Sequence, residues 1–108
     1  MRYYENLFIV NPNIEHNRLT QVIDSAKGEI IRLGGQVLFV DDWGKKRLAY
    51  PIEKHRYGNY VLIQFETENH SVIRELGNWM KLVADIIAYQ TIRLDQKPEV
   101  KPAESAAE

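Results

Sequence analysis

The chain has 108 residues, 44% of them hydrophobic and 27% charged, with 14 Lys+Arg against 15 Asp+Glu and no cysteine. That suffices for one domain around one core, and the near-zero net charge argues against a protein that coats nucleic acid with its whole surface. Lack of cysteine removes disulfides, thiolate catalysis and cysteine metal sites. The longest early apolar run, Leu7-Phe8-Ile9-Val10, is too short for a secretory signal or a membrane span, so a cytoplasmic location is expected.

Tyr3 to Val10 reads as a strand, closed by Asn11-Pro12-Asn13. Asn13 is placed to cap the helix that follows, with His16 where a capping box would want Glu or Gln. Leu19, Val22, Ile23, Ala26, Ile30 and Leu33 then recur at helical spacing until Gly34-Gly35. Gln36 to Val40 resumes strand character, and the strand can run on through Trp43 towards Tyr50 with a bend or bulge near Gly44. Tyr57-Gly58-Asn59 is predicted as a turn and Tyr60 to Glu66 as a third strand. Glu68 to Ser71 opens a second helix carrying Val72, Ile73, Leu76, Trp79, Met80 and Val83, and Ile86 to Leu94 is the last strand. Beyond Asp95, "QKPEVKPAESAAE" holds almost nothing to bury, so residues 1–95 are predicted as one domain and 96–108 as a disordered tail.

The order strand, helix, strand, strand, helix, strand interleaves most simply as a four-stranded antiparallel sheet with both helices on one face. This is the ferredoxin-like α+β arrangement, βαββαβ. It leaves the other sheet face uncovered, yet both alternating sets of the first strand carry large apolar groups: Tyr4, Asn6, Phe8 and Val10 on one side, Tyr3, Glu5, Leu7 and Ile9 on the other. The third strand repeats this, with Val61, Ile63 and Phe65 against Tyr60 and Leu62. Tyr3, Leu7, Ile9, Tyr60 and Leu62 are therefore candidates for a face covered by a protein partner. The alternative is that they pack on one another or on the tail.

No constellation supports catalysis. His16, His55 and His70 are scattered, no phosphate-cradling glycine loop or nucleophile elbow is present, and Asp41-Asp42 are too close in sequence to flank a substrate. The chain reads as a non-enzyme with no metal and no cofactor. One charge feature stands out: Lys45, Lys46, Arg47, Lys54 and Arg56 fall within twelve positions of a nearly neutral chain. A hairpin would join the two groups into a patch for phosphate contacts. Edge lysines that merely block strand pairing would look the same. "RYGNYVLIQF" also has a faint likeness to an RNA-recognition module, but Tyr57 separates Arg56 from Gly58 and breaks the aromatic motif. A rival class with the same element order, a ligand-sensing regulatory domain, would want a Gly-rich turn where Asn11-Pro12-Asn13 stands.

The run Gly44-Lys45-Lys46-Arg47-Leu48-Ala49-Tyr50-Pro51-Ile52 closely resembles the signature of the bacterial small-subunit ribosomal protein six family. Met1-Arg2-Tyr3-Tyr4-Glu5, the Asn11-Pro12-Asn13 turn and a last strand ending Thr91-Ile92-Arg93-Leu94 extend the likeness over about residues 1 to 95. The resemblance implies the ferredoxin-like fold and a structural role without cofactor, membrane or small-molecule substrate. It also implies binding to the central domain, the platform, of small-subunit ribosomal RNA, as a heterodimer with small-subunit ribosomal protein eighteen. Ala88 stands where such proteins commonly carry a basic residue, and Glu53 where a basic or small one usually follows the signature. RNA contact is accordingly expected from Lys45, Lys46, Arg47, Lys54 and Arg56, with Arg2 and Arg93 in support. Leu48, Ala49, Tyr50 and Ile52 are expected to fix the strand and its packing.

Overall fold

A computed structural model describes residues 2–52 and 54–96. The elements run β1 (Arg2–Val10), α1 (His16–Arg32), β2 (Gln36–Ile52), β3 (His55–Thr67), α2 (Val72–Lys81) and β4 (Ile86–Leu94). The four strands form one antiparallel sheet in the order β2-β3-β1-β4. The predicted ferredoxin-like architecture is thus the observed one. The predicted tail lies outside the described residues except for Gln96.

Which face is covered follows from the alternation. Tyr4, Phe8 and Val10 of β1 and Val61, Ile63 and Phe65 of β3 are buried, and they share one core with Leu19, Val22, Ala26 and Ile30 of α1 and Val72, Leu76 and Met80 of α2. Antiparallel register places Phe8 opposite Val61 and Tyr4 opposite Phe65, whose rings stack with centroids 5.4 Å apart. Asn6 belongs to the same inward set and is fully buried; its Nδ2 donates to Thr91 Oγ1 at 2.7 Å, which ties central β1 to edge strand β4. The outward set is Tyr3, Glu5, Leu7 and Ile9, with Tyr60, Leu62, Gln64 and Glu66 beside it.

The ends of α1 differ from the cap predicted at Asn13. The helix begins at His16, two residues later than that cap implies, with Glu15 in the N-cap position and no side-chain cap. Asn11 Oδ1 instead accepts from Asn13 N at 2.9 Å, so the asparagines build the preceding turn rather than the helix start. At the other end Gly34 N donates to Ile31 O and Gly35 N to Ile30 O, a paired closure that stops the helix as the glycine pair suggests. Asn69 then links the two helices: its Nδ2 donates to Leu33 O at 2.8 Å and its Oδ1 accepts from Ser71 N at the start of α2. α2 ends at Lys81, leaving Leu82 and Val83 in the turn that follows.

The largest departure is the β2–β3 hairpin. Tyr57-Gly58-Asn59 is not a turn but ladder, with Lys45 opposite Asn59, Lys46 opposite Gly58 and Arg47 opposite Tyr57. The chain reverses instead between Ile52 and His55, where Lys54 holds φ 72°. A lysine in this left-handed region costs about 1 kcal/mol, and it keeps a cation at the hairpin tip.

A basic hairpin tip and an uncovered sheet face

From Lys45 to Tyr57 Leu48 is the one buried side chain among the described residues, and it lies outside the main core cluster. β2 reaches this tip through a register shift between Asp42 and Gly44, where Gly44 takes φ 78°. Asp42 Oδ1 accepts from Gly44 N at 3.0 Å, and Asp41 Oδ2 accepts from Trp43 Nε1 at 2.7 Å. Asp41 and Asp42, which precede the cluster, are therefore engaged in shaping the bend, while Glu53, within it, lies outside the described residues. Among the described residues the ion pairs are Arg18–Asp85, Lys27–Asp24 and Arg32–Glu29, all away from the hairpin. Lys45, Lys46, Arg47, Lys54 and Arg56 are all exposed, and none has a carboxylate partner among the described residues. Lys45 Nζ instead sits 5.8 Å from the Tyr57 ring centroid.

The five cations predicted to act together are brought onto one hairpin tip. Arg47 and Arg56 line a shallow groove of about 100 Å³ with Leu48 and Ala49. Arg2 and Arg93 are not part of that patch. Arg2 opposes Thr67 and Arg93 opposes Tyr4, whereas the hairpin joins the sheet where Val10 opposes Asn59. The nine-residue length of β1 separates the two ends by about 25 Å. Arg2 also donates to His70 Nδ1.

Tyr3, Leu7, Ile9, Tyr60 and Leu62 do share one face, the one without helices, with Leu7 opposite Leu62 and Ile9 opposite Tyr60. β4 adds Ala88, Gln90, Ile92 and Leu94 to it, opposite Ile9, Leu7, Glu5 and Tyr3. Ala88 thus lies on this face and not in the basic patch. Two contributors were not singled out from sequence. Trp43 stacks on Tyr60, ring centroids 6.0 Å apart, and Phe39 opposes Gln64. The i, i+2 spacing of Phe39, Asp41 and Trp43 was the available signal. Because Tyr60 is half-buried against Trp43, it is not a free platform for a nucleic-acid base.

Within the signature, Leu48 is buried, as a packing role requires. It covers Gly58: a Cβ there would lie 3.5 Å from Leu48 Cδ2 and only 2.3 Å from Ile9 Cγ2. Ile9 is β-branched and stiff, so it cannot swing away without a rotamer change. Gly58→Ala is expected to destabilise the domain by about 1–3 kcal/mol, read as a lower urea midpoint at unchanged slope. Tyr50 does not fit a packing role. It is 81% exposed.

The fold and these surfaces define a small α+β domain: a compact core, a cationic hairpin tip and a separate apolar sheet face, with no cluster of metal-ligating side chains among the described residues. No helix among the described residues is long and apolar enough to cross a membrane. The profile of the family described as "Ribosomal protein S6" matches residues 3–93. The chain is 40% identical to a "Small ribosomal subunit protein bS6" from Moorella thermoacetica, over 90% of this chain and 98% of that protein. It is 34% identical to its namesake from Aquifex aeolicus, over 96% and 94% of the two chains. A crystal structure of 30S ribosomal protein S6 from Thermotoga maritima superposes with a TM-score of 0.78 at 29% identity, covering 86% of this chain and 87% of that one. The chain belongs to the ribosomal protein S6 family. It is accordingly a structural ribosomal protein and not an enzyme, located on the ribosome in the bacterial cytoplasm.

Proposed function

We propose that this chain binds the central domain, the platform, of small-subunit ribosomal RNA through its hairpin tip, and docks small-subunit ribosomal protein eighteen on its uncovered sheet face. One observation carries the proposal: cations with no carboxylate partner among the described residues and the outward apolar residues occupy two different surfaces of one small domain. Lys45, Lys46, Arg47, Lys54 and Arg56 supply the phosphate contacts. Arg2 and Arg93, at the far end of the sheet, reach a separate backbone segment. Tyr3, Leu7, Ile9, Tyr60 and Leu62 form the protein-facing surface, whose mixture of apolar and polar groups is ordinary for a docking face. So few phosphate contacts release few counterions, so the isolated chain binds RNA modestly and the partner strengthens binding by completing the charged surface.

The test of the docking face is Leu7→Asp and Leu62→Asp, made singly. Each places a charge at the centre of the proposed interface, where desolvation is costly. Affinity for protein eighteen, measured without RNA by titration calorimetry, is expected to fall at least about tenfold, with the thermal transition of the free chain retained as a control. Unchanged affinity in both variants would move the partner to another surface.

A further inference from the structure

The signature tyrosine that packing does not explain has a place on this surface. Between the pairs Arg47–Tyr57 and Ile52–His55, the four residues Leu48, Ala49, Tyr50 and Pro51 stand opposite Arg56 alone. This bulge on an edge strand leaves Leu48 buried over Gly58 and Tyr50 81% exposed, next in sequence to Ala49, which lines the groove with Arg47, Leu48 and Arg56. We propose that Tyr50 is a stacking platform for an unpaired base of the RNA, whose flanking phosphates are held by Arg47 and Arg56; this rests on the RNA-binding role of the hairpin. An exposed aromatic ring on the same hairpin tip as two exposed guanidinium groups suits a splayed-out base better than a duplex, because stacking needs a free base face and the cations need its backbone. Tyr57, the other exposed ring of the tip, has Lys45 over it and holds that cation in place. The charge around Tyr50 favours RNA over a protein as its occupant. The chemical class recognised is an unpaired nucleotide, with little preference among bases, since every base offers a π-face.

The test uses the full chain with protein eighteen and a central-domain fragment of small-subunit ribosomal RNA, in a salt series. Tyr50→Phe keeps the ring and is expected to bind within about twofold of the unaltered chain. Tyr50→Leu and Tyr50→Ala are expected to lose about ten- to hundredfold at every salt concentration. The dependence on salt should stay the same, because no phosphate contact is removed. Full affinity in Tyr50→Leu and Tyr50→Ala would overturn the stacking role. So would a loss of protein eighteen binding in the same variants without RNA, which would make the ring part of the protein interface. Combined replacement of Lys45, Lys46 and Arg47 in parallel separates the two levels. If that variant weakens and the Tyr50 variants do not, stacking alone fails; if neither weakens, the RNA role of the hairpin fails with it.

Discussion

Replacing Lys45, Lys46 and Arg47 together by alanine is expected to lower affinity for central-domain ribosomal RNA on the order of a hundredfold near physiological salt, and to flatten the log–log salt dependence by about 2 to 3. The expectation follows from charge inventory. These three cations are exposed and have no carboxylate partner among the described residues, so their removal breaks no internal ion pair. Three phosphates that each displaced about 0.7–0.9 of a counterion then no longer do so. Stability should move by no more than about 0.5 kcal/mol, as for other exposed sites remote from the core. Replacing Arg74 and Lys81, exposed cations of α2, is the control for net charge. The competing explanation, that lysines on β2 serve only to block edge pairing, gives a different result. The variant would then self-associate while each monomer bound RNA as before.

Phe8→Ala is expected to cost about 3–5 kcal/mol, against the 5–15 kcal/mol by which domains of this kind are stable. Phe8 is fully buried on a central strand, opposite Val61 on one side and Tyr89 on the other. It therefore sits between the helices and two neighbouring strands, and a cavity there cannot be closed by a surface side chain moving in. Urea denaturation should show a much lower midpoint with the slope kept, provided the folded state survives at all. RNA affinity measured under conditions where the variant is folded should be unchanged, because the hairpin tip shares no side chain with this core.

The elements whose residues are buried were legible in the sequence. Apolar spacing located both helices and β1 and β4 to within a few residues, and alternation on β1 separated Tyr4, Phe8 and Val10 from Tyr3, Leu7 and Ile9, as the register has them. The hairpin was less so. Its outer half is held by backbone pairing among Lys45, Lys46, Arg47, Tyr57, Gly58 and Asn59, and a ladder of polar residues carries no hydrophobic period to read. Tyr57-Gly58-Asn59 has turn composition, but Gly58 is there because Ile9 leaves no room for a Cβ. The same limit hid Tyr50: its exposure depends on four residues bulging opposite Arg56, which is a property of pairing between strands. Arg2 and Arg93 are expected as supporting RNA contacts beside the hairpin cluster, and the antiparallel register puts them at the opposite end of the sheet.

The proposed hairpin tip and sheet face act separately, and a crossed binding measurement tests this most directly. The Lys45, Lys46 and Arg47 triple variant and Leu62→Asp would each be titrated against the central-domain RNA fragment alone and against protein eighteen alone. The triple variant should lose RNA and keep the protein, and Leu62→Asp should lose the protein and keep RNA. If either variant weakened both interactions to the same extent, or if neither weakened its own, the division of labour between hairpin tip and sheet face would be wrong.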